Sequence, residues 1–305
     1  MIRVLTDVLK ERKIPYSQNV LTSALCTFRI GGTACLLVEP QCIGELICTA
    51  QHCTRLRLPY AVIGRGSNIL FGDGRIETVL IRTVALNAVR LLENGRIRAD
   101  CGASLGALTS FAASAGLGGL AFACGIPGTV GGALYMNAGA HGSSILDLVE
   151  SVSVWDARGG KIKTLFNGQL NNSYRNSIFQ KENILILQAV LRLQPDCDPQ
   201  QIRAEMGALR EHRRATQPIG IPSAGSAFRR PSLEICLSKM LDELGLKGMQ
   251  VGGAAVSPKH AGFIVNNGGA TARDVRMLIE RIQNIVEREK GFRPIPEIRL
   301  IPEDS

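Results

Sequence analysis

The stretch FACGIPGTVGGALYMNAGAHG, residues 122–142, constrains the fold of this chain more than any other. Gly125, Gly128, Gly131 and Gly132 are spaced through a loop in which Pro127 fixes one backbone dihedral. Such a run lets backbone approach a ligand closely, and a helix beginning near Thr129 would turn its partial positive end towards an anion. A glycine-rich loop that merely packs on its neighbours has the same spacing. No Gly-Lys-Ser/Thr triplet follows, so this is not a Walker loop.

A second glycine loop, VIGRGSNILF (62–71), follows a short apolar run. Gly64 and Gly66 offer freedom at positive φ, which lets consecutive N–H groups turn inward, and Ser67 and Asn68 add side-chain donors. A pyrophosphate suits that cradle; a plain tight turn also accounts for two glycines. It is not the dinucleotide fingerprint GxGxxG, because Ile69 stands where the third glycine belongs.

In PSAGSAFRRP (222–231), Ser226 lies between Gly225 and Ala227, which leaves its hydroxyl accessible, and two arginines follow. A hydrolase nucleophile would require GxSxG, whereas Phe228 stands two residues after the serine. The alternatives are a turn serine or a hydroxyl that gives a proton to a carbanion beside stabilising cations. Tyr174, Arg175, Asn176 and Ser177 form a loop after Asn171 and Asn172, where Arg175 could fork onto a carboxylate or enolate oxygen or simply be solvated. Glu297, in RPIPEIRL, is a candidate acid near a closing strand. His52, His141, His212 and His260 have no ligand spacing, so a metal site is not expected.

With 305 residues, 45% hydrophobic and 20% charged, the chain has the composition of an ordinary globular protein of about two to three domains. Its 35 Lys and Arg against 26 Asp and Glu give a net charge of +9, which points to anionic partners. The positive charges are dispersed and aromatics are 5%, so small phosphorylated ligands are expected rather than nucleic acid. Nine cysteines match no disulfide framework or CxxC site and read as reduced thiols. The first residues lack a signal-peptide core, and no apolar run is long enough to span a membrane. A cytoplasmic protein with no membrane partner is the expectation.

Residues 1–82 read as alternating helix and strand, with YAVIGRGSN running an apolar strand into its glycine turn. From residue 78 short runs such as RIRADCG, SVSVWD and ILILQAVLRL suggest an antiparallel sheet, with SLGALTSFAASAGL (104–117) as an inserted helix. QPDCDP (194–199) is a plausible boundary. Beyond it, QQIRAEMGALREHRRAT reads as a charged helix, and two more helices flank AGFIVNN.

Taken together, these strings resemble one family, the flavoenzyme UDP-N-acetylenolpyruvoylglucosamine reductases of peptidoglycan synthesis. The likeness runs from about Phe28 to Ile301 through FRIGG, IGRGSN, FACGIPGTVGGALYMNAGAHG, YRNS, PSAGSAF, KHAGF and PEIRLI, in the family's order. It implies an α+β chain with an FAD-binding fold of the vanillyl-alcohol-oxidase (PCMH) type in two subdomains, 1–82 and 83–199, and a C-terminal α+β substrate domain, 200–305. FRRP after Ser226 matches the shorter of two recognised types, which lacks a tyrosine-bearing loop.

By motif match, the resemblance implies that Gly64, Arg65, Gly66, Ser67 and Asn68 wrap the FAD pyrophosphate. Gly125, Ile126, Pro127, Gly128, Thr129, Gly131 and Gly132, with Asn137, Gly139 and Ala140, would hold the rest of the cofactor. Arg175, Ser226 and Glu297 fall on the catalytic positions. NADPH would be co-substrate, and an enolpyruvyl UDP-sugar would receive hydride on its vinyl carbon and a proton from Ser226, while Arg175 and Glu297 polarise its carboxyl group. Tyr174, Arg213, Arg214, Arg230, Lys259 and His260 are the expected phosphate or uridine contacts. Many relatives carry a lysine where this chain has Thr216, and neighbouring Arg214 is the expected substitute. A monomer is favoured. The competing readings are an oxidase on the same fold and a non-catalytic nucleotide- or nucleic-acid-binding protein.

Overall fold

A computed structural model describes residues 1–232 and 235–302. Contacts gather the chain into two compact units, both discontinuous in sequence: Met1–Ser17, Leu37–Gly64 and Val79–His212 form one, and Gln18–Leu36, Arg65–Thr78 and Arg213–Ser305 the other. Residues 1–82 therefore contribute to both.

In the first unit, the strands Tyr60–Ile63 and Val79–Arg82 pair in parallel, and Leu80 and Ile81 pair in turn with Leu37 and Val38. Val79, Leu80 and Ile81 are all buried, the continuous apolar run that a parallel strand covered on both faces requires. The crossover helix Ile43–Arg55 buries Leu46, Thr49, Ala50 and Cys53. After it comes an antiparallel sheet of five strands, in the order Lys161–Phe166, Val149–Asp156, Ile184–Arg192, Arg96–Asp100 and Val89–Leu91. Strict alternation in RIRAD buries Ile97 and Ala99 and turns Arg96, Arg98 and Asp100 to the other face.

Ser104 caps the helix Leu105–Ser114, and Thr129 caps the short helix Val130–Met136. The helix Pro199–Thr216 begins in this unit: Ile202 and Met206 pack against Ala113, Ala121 and Cys124.

The second unit is built on an antiparallel sheet in the order Ser223–Ser226, Phe263–Asn266, Ala254–Val256 and Gln250–Val251. The helix Ala272–Lys290 buries Val275, Leu278, Ile282 and Val286, one stripe at helical spacing. Its start carries a capping box between Thr271 and Asp274, and the Asp73 carboxylate accepts from the amides of Ala272 at 2.6 Å and Arg273 at 3.0 Å. Ile69–Phe71 pairs in parallel with Arg299–Ile301. All nine cysteines are free.

Candidate active site

The two glycine loops meet in the first unit. A Cβ on Gly64 would stand 2.2 Å from Thr129 Oγ1, so glycine is required there by close approach and not, as the sequence suggests, by positive φ. Gly66 is the residue that turns left-handed, at φ 63. In the second unit, the backbone amides of Arg65, Gly66, Ser67 and Asn68 donate no hydrogen bond among the described residues. Four consecutive uncommitted amides around one left-handed residue form a donor set suited to a diphosphate.

The helix that starts after Thr129 departs from expectation. The Val130 amide donates to Ala103 O at 2.8 Å and the Gly131 amide to Cys101 O at 2.7 Å, while Thr129 Oγ1 accepts from Gly132 N at 3.2 Å. Its first three amides are thus spent inside the protein, and the expectation that they face an anion is corrected. Gly131 serves instead to seat this helix against the turn before Leu105, where a Cβ would lie 3.0 Å from the Cys101 carbonyl.

Asn137 ends the helix in the left-handed region, at φ 43 and ψ 60, with its side chain buried. Its Nδ2 donates to Asn172 Oδ1 and to Ser173 O, both at 2.8 Å, and its Oδ1 accepts from Leu146 N at 3.3 Å. The far side of Asn172 donates to Asp147 at 2.8 Å. Burial works to raise the Asp147 carboxyl, but hydrogen bonds from Asn172 and Ser144 outweigh it and hold the group below its ordinary value.

This network anchors Arg175. Nη1 points at Asn137 O (3.4 Å) and Nη2 at Gly139 O (3.3 Å), and the guanidinium lies 5.1 Å from the Tyr174 ring centroid. The Arg175 backbone is itself left-handed at φ 53, and Gln180 Nε2 holds it by donating to Arg175 O at 3.1 Å and Tyr135 O at 2.8 Å. Ser177 Oγ donates to the same Tyr135 carbonyl at 2.7 Å. Asn137, Gly139 and Arg175, expected separately, are thus brought together. Asn172 and Ser177 lie in the loop that the sequence singles out, though not there as supports, whereas Gln180 has no sequence signal.

In the second unit Ser226 ends its strand exposed, after Gly225 at φ 79. The next residue, Ala227, donates to Gly262 O and accepts from the Glu297 amide, both at 2.8 Å. Asn68 Nδ2 then donates to Glu297 O at 3.0 Å, and Arg299 N donates to Asn68 O at 2.9 Å. The glycine loop, the Ser226 segment and the Glu297 segment therefore form one continuous backbone patch. Thr27 Oγ1 supports it by donating to Ser223 O at 2.7 Å, and Asn266 Nδ2 by donating to Phe28 O at 3.2 Å.

Arg213 and Arg214 occupy the last turn of the helix Pro199–Thr216, and Arg230 is exposed beyond Phe228. Lys259 Nζ donates to the Arg214 carbonyl, so one of its protons caps that helix end. His260 Nδ1 accepts from Gly262 N at 3.1 Å, and burial pushes its imidazole below the ordinary value. Among the described residues no cluster of His, Cys, Asp and Glu could hold a metal ion, and no helix is long and apolar enough to cross a membrane.

A family model described as UDP-N-acetylenolpyruvoylglucosamine reductase, C-terminal domain, matches residues 217–301, and one described as FAD binding domain matches 34–165. A reductase of that name from Caldanaerobacter subterraneus subsp. tengcongensis is 38% identical across 99% of this chain and 98% of its own. One from Pseudothermotoga lettingae is 42% identical across 90% and 93%. The chain belongs to the UDP-N-acetylenolpyruvoylglucosamine reductase family.

The crystal structure of a family member from Thermus caldophilus superimposes with a TM-score of 0.78 at 30% identity, covering 94% of this chain and 98% of that one. The fold is accordingly α+β, an FAD-binding domain joined to a C-terminal domain of the reductase family. The protein is an FAD-dependent oxidoreductase of peptidoglycan synthesis acting on a small molecule. FAD suits the residues present: the uncommitted amides of 65–68 would supply donors of the kind a diphosphate needs.

Proposed function

We propose that this reductase converts the enolpyruvyl ether of a UDP-N-acetylglucosamine to the lactyl ether, using NADPH. Bound FAD would accept hydride from NADPH and supply it to the terminal vinyl carbon. Negative charge then develops at the carbon beside the carboxylate, and the protein must stabilise it and deliver a proton.

Ser226 is the proposed proton donor. Exposed, and flanked by residues with no bulk, its hydroxyl can reach a substrate carbon. Glu297, fixed in register by its amide bond to Ala227 O, is proposed to polarise the substrate carboxyl group. That 2.8 Å bond, which ties the two segments together, is the observation that carries the reading. Arg175 is proposed to stabilise the enol-like state: its guanidinium is held in place by Asn137 O and Gly139 O, and a planar fork of that kind suits a carboxylate.

Residues 65–68 are the proposed pyrophosphate cradle, with Gly125 to Gly132, Asn137, Gly139 and Ala140 around the rest of the cofactor. Tyr174, Arg213, Arg214, Arg230, Lys259 and His260 are the proposed substrate contacts. The division into 1–82, 83–199 and 200–305 is proposed as the functional one; the separate family matches at 34–165 and 217–301 support its last boundary, between the FAD-binding part and the C-terminal domain. Nine free thiols support a site of action in the cytoplasm.

The test is the visible spectrum of the flavin-loaded protein without oxygen. Flavin bands should bleach with NADPH and return when the enolpyruvyl UDP-sugar is added. Bleaching with no return rejects the substrate; rapid re-oxidation by oxygen alone favours an oxidase; a protein that does not bind FAD rejects the whole reading.

A further inference from the structure

The outer face of the five-stranded sheet in the first unit holds a groove that the reductase chemistry does not use. It encloses about 140 Å³ and is lined by Ala88, Arg90, Arg98, Asp100 and Gln188. Arg90 and Arg98 are direct partners across two adjacent strands, so both side chains stand on one face. Like charges in that relation destabilise a sheet unless an anion lies between them.

The neighbouring arginines on this face share a carboxylate. Arg192 meets Glu150 at 2.5 Å, and Arg96 meets the same carboxylate at 3.5 Å. Arg90 and Arg98 have no ion pair and no side-chain hydrogen bond among the described residues. The one acid in the groove, Asp100, has Oδ1 engaged by Gln188 Nε2 at 2.6 Å, which leaves Oδ2 as an acceptor. Two guanidinium forks beside one carboxylate oxygen call for a ligand with an anionic head of several oxygens and a hydroxyl next to it.

We propose that this groove binds a phosphate monoester of a polyol, with the phosphoryl group between Arg90 and Arg98 and a neighbouring hydroxyl donating to Asp100. The site is independent of the flavin and of the assignment of Ser226, Glu297 and Arg175.

The experiment is calorimetric titration of the full-length, FAD-loaded protein with glycerol 3-phosphate, inorganic phosphate and glycerol. Saturable binding of glycerol 3-phosphate is expected, weakened at least tenfold in Arg90→Gln/Arg98→Gln with the flavin spectrum unchanged. Asp100→Asn should weaken glycerol 3-phosphate but not inorganic phosphate. Equal binding by wild type and the double variant places the phosphate elsewhere and overturns the proposal, as does the lack of saturable binding at low salt. Equal loss of both ligands in Asp100→Asn overturns the hydroxyl contact. Arg90→Gln alone, on the exposed edge strand, provides the same comparison if the double variant does not fold.

Discussion

The side-chain amide of Asn68 donates to the carbonyl oxygen of Glu297 at 3.0 Å, joining residues 229 apart in sequence. Because the carbonyl of Asn68 also accepts from Arg299, this one residue fixes both the glycine loop and the segment carrying Glu297. Asn68→Ala should cost about 1 kcal/mol of stability in urea denaturation. It should also weaken flavin retention and turnover together, whereas a residue that only donated to the cofactor would leave the stability unchanged.

Gly64→Ala places a methyl group against Thr129 Oγ1. The overpacking should destabilise the first unit by about 1–3 kcal/mol. Thr129→Ala alone should cost about 1 kcal/mol through loss of the helix cap. Since the second change relieves the clash made by the first, the double variant should be more stable than the two single costs predict. Additive losses would show that the loops yield independently.

Asn137 carries two separable duties. Asn137→Gly keeps the left-handed backbone but removes the side-chain bonds to Asn172, Ser173 and Leu146, leaving a buried amide unmet at a cost of about 1–3 kcal/mol. Asn137→Ala should cost about 1–2 kcal/mol more through the backbone. Both should lower turnover more than flavin binding, because Arg175 leans on the Asn137 carbonyl. Thermal denaturation alongside steady-state kinetics separates the two effects.

Ser226→Ala should leave bleaching by NADPH unchanged and slow the return of the flavin bands with the enolpyruvyl substrate by about 10²–10⁴-fold, the ordinary worth of a positioned proton donor. Stopped-flow measurement of the two half-reactions checks it. Normal turnover would remove the serine from the mechanism.

Burial depresses the His260 imidazole, and its Nδ1 accepts a backbone hydrogen bond that needs the neutral ring. The unfolded chain, with an imidazole near about 6.5, then binds more protons than the folded one at acid pH. The His260 contribution is therefore full above about pH 6.5 and is lost as pH falls through the depressed folded value. Urea midpoints measured from pH 8 to pH 5 should fall more steeply in the wild type than in His260→Gln.

Local patterns made some elements legible and not others. Apolar alternation in RIRAD and the helical stripe of Ala272–Lys290 appear directly in the residues, because one buried face dictates them. The glycine loops were recognisable by type but not by reason. Gly64 and Gly131 are glycines because of the Thr129 and Cys101 atoms packed against them, and nothing local signals a partner dozens of residues away. The same applies to the helix after Thr129: its amides look available until Cys101 and Ala103 arrive to take them. Gln180 was unreadable for a related reason, since a glutamine supporting two carbonyls looks like any polar residue in a loop.

The parallel pairing of Ile69–Phe71 with Arg299–Ile301 sets an order for biosynthesis. Every segment of the first unit has been made once His212 leaves the ribosome, whereas the second unit still waits for Arg213 and all that follows. Residues 18–36 and 65–78 can pair with each other, as Gly32 N does with Gly72 O, but spend that interval without the part of the second unit made after residue 212, carrying Phe28, Ile30, Leu70 and Phe71, side chains that end up buried. A nascent chain with such segments uncovered is open to aggregation and to chaperone capture. Slow codons placed after residue 212 should lower the yield of this protein more than the same codons placed before it.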